Sequence, residues 1–100
     1  MFDAYFHKVR QSKTVKALEA YKPDTVEEIQ NHRYLLSDKE LFARSYAQWV
    51  GVKTGEKRIN QVIALQKEGD GMWAYIQWDE KDFADNIVPA LDELFSKIYP

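Results

Sequence analysis

Apolar residues recur at helical spacing in the N-terminal part of the chain. One helical face carries Phe2, Phe6 and Val9, and a second face carries Val15, Leu18 and Tyr21. We predict helix over residues 3–21, either unbroken or as two helices that separate near Gln11. Ser12 would then cap the second helix, and Pro23 ends the stretch.

A capping-box pattern, in which Ser or Thr is followed three residues later by Glu, predicts the next helix. Thr25 and Glu28 form such a pair. The hydroxyl of the pair accepts from the backbone N–H of the Glu, and the carboxylate accepts from the backbone N–H of the Ser or Thr. We predict a short helix that reaches about Asn31, with residues 32–36 as a connector.

The same pattern recurs at Ser37 and Glu40 and predicts a long amphipathic helix. The apolar residues of this helix that fall on one stripe are Phe42, Tyr46, Trp49 and Val50. Gly51 or Gly55 would end it, because glycine readily adopts the left-handed conformation that follows many helices.

Two further elements are predicted before residue 79. A helix over residues 56–68 would turn three residues inward: Ile59, Val62 and Ile63. Residues 72–78 are rich in aromatic side chains, which is typical of a short strand or an extended segment.

Asp79 is a good N-cap for the last helix. The apolar stripe of this helix consists of Phe83, Ile87, Leu91, Leu94, Phe95 and Ile98. Pro89 falls inside the stripe and cannot donate a helical hydrogen bond. We therefore expect a kink near residues 85–88, or a break there with Pro89 opening a new helix. Together the elements predict a mainly α fold, a compact bundle of about five helices, in a single domain over residues 1–100.

Composition narrows the class of protein. The chain has 45% apolar and 30% charged residues, as globular proteins do. It has no cysteine, which excludes disulfides and thiolate metal sites and favours a reducing, cytoplasmic location. No apolar run approaches the roughly 20 residues of a membrane span, so we expect no membrane association.

Charge is unevenly distributed along the chain. Residues 1–22 carry five basic and two acidic side chains, whereas residues 79–100 carry two basic and six acidic ones. The basic residues of the first helix are Lys8, Arg10, Lys13 and Lys16, which leaves nucleic-acid binding open as an alternative. The net charge of −2 argues against such binding, since nucleic-acid surfaces are usually strongly basic.

The residues that most often carry chemistry are sparse. His7 and His32 do not have the spacing that places two metal ligands on one helical turn. There is no phosphate-binding glycine loop, no dinucleotide fingerprint and no nucleophile elbow. We expect no enzymatic activity from this chain alone.

Residues 34–50 read YLLSDKELFARSYAQWV. This run resembles a C-terminal motif of zincin-like metallopeptidase domains from phages and mobile elements, including domains attached to head-morphogenesis and large polyvalent proteins. The stretch 78–95 resembles the closing helix of the same domains, so the resemblance covers roughly residues 34–98.

In that family the glutamate of the motif supplies a third zinc ligand, and the resemblance assigns this role to Glu40. The His-Glu-x-x-His helix of the family is absent from this sequence. Zinc catalysis uses three protein ligands and an open position, so Glu40 alone cannot hold zinc. The capping box at Ser37 explains the same residue without a metal.

Two interpretations follow from the resemblance. The lead hypothesis is a non-enzymatic helical domain of prophage or mobile-element origin that acts through contacts with a protein partner or as a homodimer, without a cofactor. The alternative is the C-terminal part of a zinc metallopeptidase-like domain, with the missing ligands on another chain or lost.

Overall fold

The structure is a computed structural model that describes residues 2–69, 72–73 and 77–98. The helices are α1 (Phe2–Gln11), α2 (Lys13–Ala20), α3 (Val26–Leu35), α4 (Asp38–Thr54), α5 (Lys57–Gln66), α6 (Glu80–Asp82) and α7 (Val88–Ile98). A π-helix over Phe83–Ile87 joins α6 to α7. The predicted mainly α bundle is confirmed, and no described residue lies in a strand.

The segment predicted as a strand or extended stretch is only partly described. Met72 and Trp73 form a 3₁₀ turn rather than a strand, and residues 74–76 lie outside the described residues. Met72 is buried against Leu18 and Leu35 in a small cluster beside the main core.

The helical stretch predicted over residues 3–21 consists of two helices, which confirms the prediction of a break near Gln11. Ser12 separates α1 from α2 and lies fully buried. Its Oγ donates to the Val9 carbonyl at 2.6 Å and accepts from the Val15 backbone N–H at 3.3 Å. The hydroxyl therefore caps α2 and also bonds the end of α1.

The hydroxyl half of the capping box of α3 is confirmed, but its carboxylate half and the predicted end of the helix are wrong. The Glu28 carboxylate accepts from the Asp24 N–H at 3.2 Å rather than from the Thr25 N–H. Thr25 Oγ1 accepts from the Glu28 backbone N–H at 3.0 Å. The helix continues through the predicted connector to Leu35, which is buried in the small cluster. Burial of this leucine favours the extra helical turn, and the sequence around Asn31 gives no sign of it.

The main core joins α1, α2, α4 and the last helical segment. Its buried members are Tyr5, Val9, Val15, Leu41, Trp78, Phe83, Ile87, Ala90, Leu91 and Leu94. The predicted stripe of the last helix is thus confirmed in the core, with Phe95 and Ile98 half-buried at its edge. Leu36 packs against both clusters and connects them.

The irregularity expected before Pro89 is a π turn. Asp79 caps α6, its Oδ1 accepting from the Asp82 N–H at 2.8 Å. The Val88 N–H bonds the Phe83 carbonyl, one residue further back than in an α-helix. The proline ring would crowd the Asp85 carbonyl in a regular helix, and the wider turn provides room. Pro89 is then the second residue of α7.

The face of α4 that turns inward differs from the predicted one. Phe42 and Trp49 are half-buried and Tyr46 is exposed. The buried residues of α4 are Leu41, Arg44, Ser45, Gln48 and Gly51. A largely polar face of α4 therefore meets the rest of the protein, which is possible only because distant groups satisfy most of its polar atoms.

Helix α5 packs against α4 as the second arm of a helical hairpin. Gly55, with φ of 67°, ends α4, and the next residue, Glu56, caps α5. Of the three residues predicted to face inward, Ile63 is buried and Ile59 half-buried, but Val62 is 53% exposed. The prediction for Val62 was wrong because no other described helix covers that side of α5.

None of the described helices is both long enough and apolar enough to cross a bilayer.

Candidate functional site

Glu40, the residue assigned to zinc by the resemblance, completes only half of the predicted capping box. Ser37 Oγ accepts from the Glu40 backbone N–H at 3.4 Å, as predicted. The Glu40 carboxylate, however, accepts from the Tyr34 hydroxyl, and the Ser37 N–H bonds the Tyr34 carbonyl at 3.1 Å. The reciprocal hydrogen bond to Ser37 was therefore predicted wrongly, because Tyr34 supplies partners for both groups.

The structure does not bring the histidines to Glu40. His7 is exposed on α1, and the Nε2 of His32 lies 2.6 Å from the Leu18 carbonyl oxygen. Across residues 2–69, 72–73 and 77–98, no three His, Asp or Glu side chains are grouped so that they could hold a metal ion. A metal role for Glu40 stays a prediction of the resemblance.

Arg44 is a buried cation beside Glu40 and Tyr34, with only 8% of its surface exposed. One nitrogen, Nη2, donates to the Leu35 carbonyl at the end of α3. Its Nε and Nη1 have no hydrogen-bond partner in the structure. Burial lowers the pKa of Arg44, and the nearby Glu40 charge partly opposes this effect. The arginine therefore ties α3 to α4 through a single hydrogen bond.

Asp82 is the second buried charge, only 3% exposed, and its oxygens are well satisfied. It accepts from the Thr14 N–H at 2.9 Å, the Thr14 hydroxyl at 2.8 Å and the Asn86 amide at 2.7 Å. The Lys13 N–H is a fourth donor at 3.1 Å. Burial raises the pKa of Asp82, but these hydrogen bonds outweigh burial and hold it below its ordinary value.

The Asp82 carboxylate links the last helical segment to the start of α2 through hydrogen bonds. Its backbone donors, Lys13 and Thr14, are the first two residues of α2, whose N–H groups have no partner within the helix. A negative charge at a helix N-terminus is also favoured by the helix dipole. The arrangement is explained by folding, without a ligand.

Gln48 and Ser45 use the polar face of α4 to bind distant segments. Gln48 accepts from the Trp78 backbone N–H at 3.2 Å and donates to the Trp78 carbonyl at 2.9 Å. Ser45 Oγ is hydrogen-bonded to the hydroxyl of Tyr5. Burial raises the pKa of Tyr5 to about 12, so this hydroxyl keeps its proton at neutral pH.

Two basic side chains of α1 lie beside acidic ones. Arg10 pairs with Asp38 and also donates to the Leu36 carbonyl at 3.2 Å. Lys8 shares a surface groove with Asp85 and Glu93. Lys8 of the basic N-terminal segment therefore lies beside acidic residues of the C-terminal segment, which weakens the case for a nucleic-acid surface.

Five rings from three helices form one continuous aromatic surface: Phe2, Phe42, Tyr46, Trp49 and Phe95. The centroids of successive rings lie 5.6 Å apart for Phe2–Phe42, and 6.1 Å for both Phe42–Tyr46 and Tyr46–Trp49. Trp49 and Phe95 stack at 5.0 Å. Phe2 and Tyr46 are exposed and the other three rings half-buried. This aromatic surface is a candidate binding site.

A second apolar feature, the hairpin groove, lies between α4 and α5. It has a volume of roughly 290 Å³ and is lined by Ala47, Arg58, Ile59, Val62, Ile63 and Gln66. Leu65, three residues after Val62 and therefore on a neighbouring part of the same helical face, is 68% exposed. The groove is open, apolar and bordered by one charged side chain.

Comparison with protein-family models, with curated proteins and with solved structures finds no match to this chain.

The apolar stripe in the sequence favours an inward position for the rings of α4, and it does not locate the aromatic surface or the hairpin groove. A signal was present, because Leu41, Ser45 and Gln48 also share one helical face at positions i, i+4 and i+7. Two stripes compete in this helix, and hydrophobicity alone favours the aromatic one.

Proposed function

We propose that this chain is a helical protein-interaction domain, which acts by contacting another protein through the aromatic surface. The observation that carries the proposal is the continuous run of five rings with Phe2 and Tyr46 exposed. Aromatic side chains provide large contact areas at low entropic cost and dominate protein interfaces. A contiguous exposed patch of this kind is typical of a binding site.

The origin in a prophage or mobile element, a cytoplasmic location and the identity of the partner stay predictions from the sequence. A zinc metallopeptidase function has no supporting arrangement of side chains among the described residues, where Glu40 is hydrogen-bonded to Tyr34. We therefore propose the protein-interaction function alone.

Site-specific photo-crosslinking tests the proposal. A photoreactive phenylalanine analogue replaces Tyr46 in the full chain, which is expressed in its native host. The matched control carries the same analogue at Tyr34, an exposed tyrosine on α3. The protein captured at position 46 is identified and purified, and its affinity for the wild type, Tyr46→Ser and Tyr34→Ser is measured.

The proposal predicts that Tyr46→Ser weakens binding by about tenfold or more, as loss of a central interface aromatic commonly does. Tyr34→Ser should change the affinity by less than about twofold. Equal weakening by both variants, or no specific adduct at position 46, would contradict it.

A further inference from the structure

Charge in this chain is segregated in a way that singles out the α4–α5 hairpin. Residues 38–66, which span α4 and α5, carry five basic side chains and three acidic ones, although the whole chain has a net charge of −2. Of the acidic side chains, Asp38 and Glu40 lie in the first turn of α4, and the Glu56 carboxylate caps α5 by accepting from the Arg58 N–H at 3.0 Å. The hairpin is therefore a basic region in an acidic protein.

The same hairpin leaves apolar side chains uncovered. Val62, which lines the hairpin groove, is 53% exposed, and Leu65, three residues further along the same helix and therefore beside it, is 68% exposed. Arg58, four residues before Val62, lines the groove too. Within the described residues its guanidinium makes no ion pair.

We propose that the hairpin groove binds an amphipathic helix of a partner protein, with apolar side chains against Val62 and Leu65 and a carboxylate beside Arg58. Two packed helices present a groove that a third helix can fill, and such helices are recognised through apolar residues at i, i+3 or i+4, and i+7. This inference rests on the proposed function and gives it a second surface and a chemical class of partner.

Charge decides between the candidate occupants. A second copy that docked groove to groove would bring a second Arg58 to this surface and no acidic partner for it, because Arg58 is the one charged residue that lines the groove. Like charges brought together in this way oppose association. An acidic helix from a different protein would meet the opposite charge, which favours encounter and orientation. Nucleic acid would leave the exposed valine and leucine without an apolar partner.

The experiment uses the full chain and two synthetic helical peptides of about 16 residues, long enough for several turns. One peptide has leucines at helical spacing and glutamates on both flanks, and its matched partner has lysines in place of the glutamates. Fluorescence anisotropy gives the affinity of each. The acidic peptide is expected to bind at least about tenfold more tightly than the basic one.

Variants locate the binding site. The double substitution Val62→Ser and Leu65→Ser should weaken binding of the acidic peptide by about tenfold or more, since apolar contact area is lost. Arg58→Glu should reverse the preference between the two peptides. Val26→Ser on α3, at a residue that is 72% exposed, is the control and should leave the affinity unchanged.

Four outcomes would overturn the inference. They are equal affinity for both peptides, binding that survives the double substitution, a dimer in light scattering that the double substitution dissolves, and oligonucleotide binding stronger than peptide binding. Crosslinking at Tyr46 is independent of these measurements. An unoccupied hairpin groove with a specific adduct at position 46 would therefore reject this inference and leave the proposed function intact.

Discussion

Helices α5 and α7 have comparable lengths and similar apolar spacing, yet they end in opposite environments. In α7 and the π-helix before it, Ile87, Leu91 and Leu94 are fully buried against the rest of the core. In α5, Ile63 is buried while Val62 and Leu65 are exposed. Helix α7 packs against α1 and α4, whereas α5 packs chiefly against α4. An apolar stripe thus predicts a helix but not the number of neighbours that cover it.

The two buried charges differ in a parallel way. Asp82, where the last helical segment meets α2, accepts four hydrogen bonds. Arg44, where α3 meets α4, donates one through Nη2 and leaves Nε and Nη1 unpaired. Hydrogen bonding to a buried charge decides whether that charge stabilises the fold.

The largest effect should come from truncation of the covered stripe. Leu91→Ala is expected to lower the free energy of unfolding by about 2–5 kcal/mol, because it leaves a cavity in the core. The same substitution at Leu65 should change it by less than about 0.5 kcal/mol. Chemical denaturation followed by circular dichroism measures both. Similar costs at the two positions would show that α5 is covered after all.

Asp82→Asn should have the next largest effect. The amide has the same shape but only one acceptor oxygen, so the donors of Lys13 and Thr14 cannot all be satisfied. We expect a loss of about 2–3 kcal/mol in the free energy of unfolding. Asp85→Asn, which removes an exposed ion pair with Lys81, is the control and should cost less than about 0.5 kcal/mol. Equal losses from the two substitutions would contradict a stabilising role for the hydrogen bonds to Asp82.

Acid should weaken the fold partly through the same carboxylate. The pKa of Asp82 is lower in the folded chain than in the unfolded chain, so its contribution is fully present above about pH 4 and is lost as the pH falls through the folded value. Unfolding of the wild type and Asp82→Asn is compared from pH 7 to about pH 2.5. The difference in their free energies should shrink below about pH 4. A constant difference would exclude the carboxylate as its source.

The smallest effect is expected at Arg44. Arg44→Met keeps a long side chain and removes two buried nitrogens that have no partner. Replacement of a poorly satisfied buried charge by an apolar side chain is often neutral or stabilising, so we expect a change of less than about 1 kcal/mol. Thermal unfolding with Arg44→Lys as a second variant provides the measurement. A loss as large as that of Asp82→Asn would contradict the contrast between the two charges.

Local signals in the sequence were the most reliable. The caps at Ser12, Thr25, Ser37 and Asp79 are all formed, since each depends on atoms within three residues. The predicted carboxylate half of the capping box at Glu40 fails because the Tyr34 hydroxyl, six residues away, supplies another donor. The pattern of the motif could not rank these two partners.

The inward face of α4 illustrates what local patterns leave open. Its Ser45 and Gln48 are buried because Tyr5 and Trp78 supply their partners from 40 and 30 residues away. Those partners have no signature at helical spacing. The aromatic stripe that looked like the core therefore became the exposed surface on which the proposed function depends.

The sequence by itself determined where most helices begin, and it determined the mainly α class. Both follow from side chains that act on their own turn of backbone. Only the tertiary structure decided which stripes are covered, because burial depends on distant segments meeting in space. This is why the same kind of apolar pattern gives a buried α7 and a half-open α5, with a groove beside it.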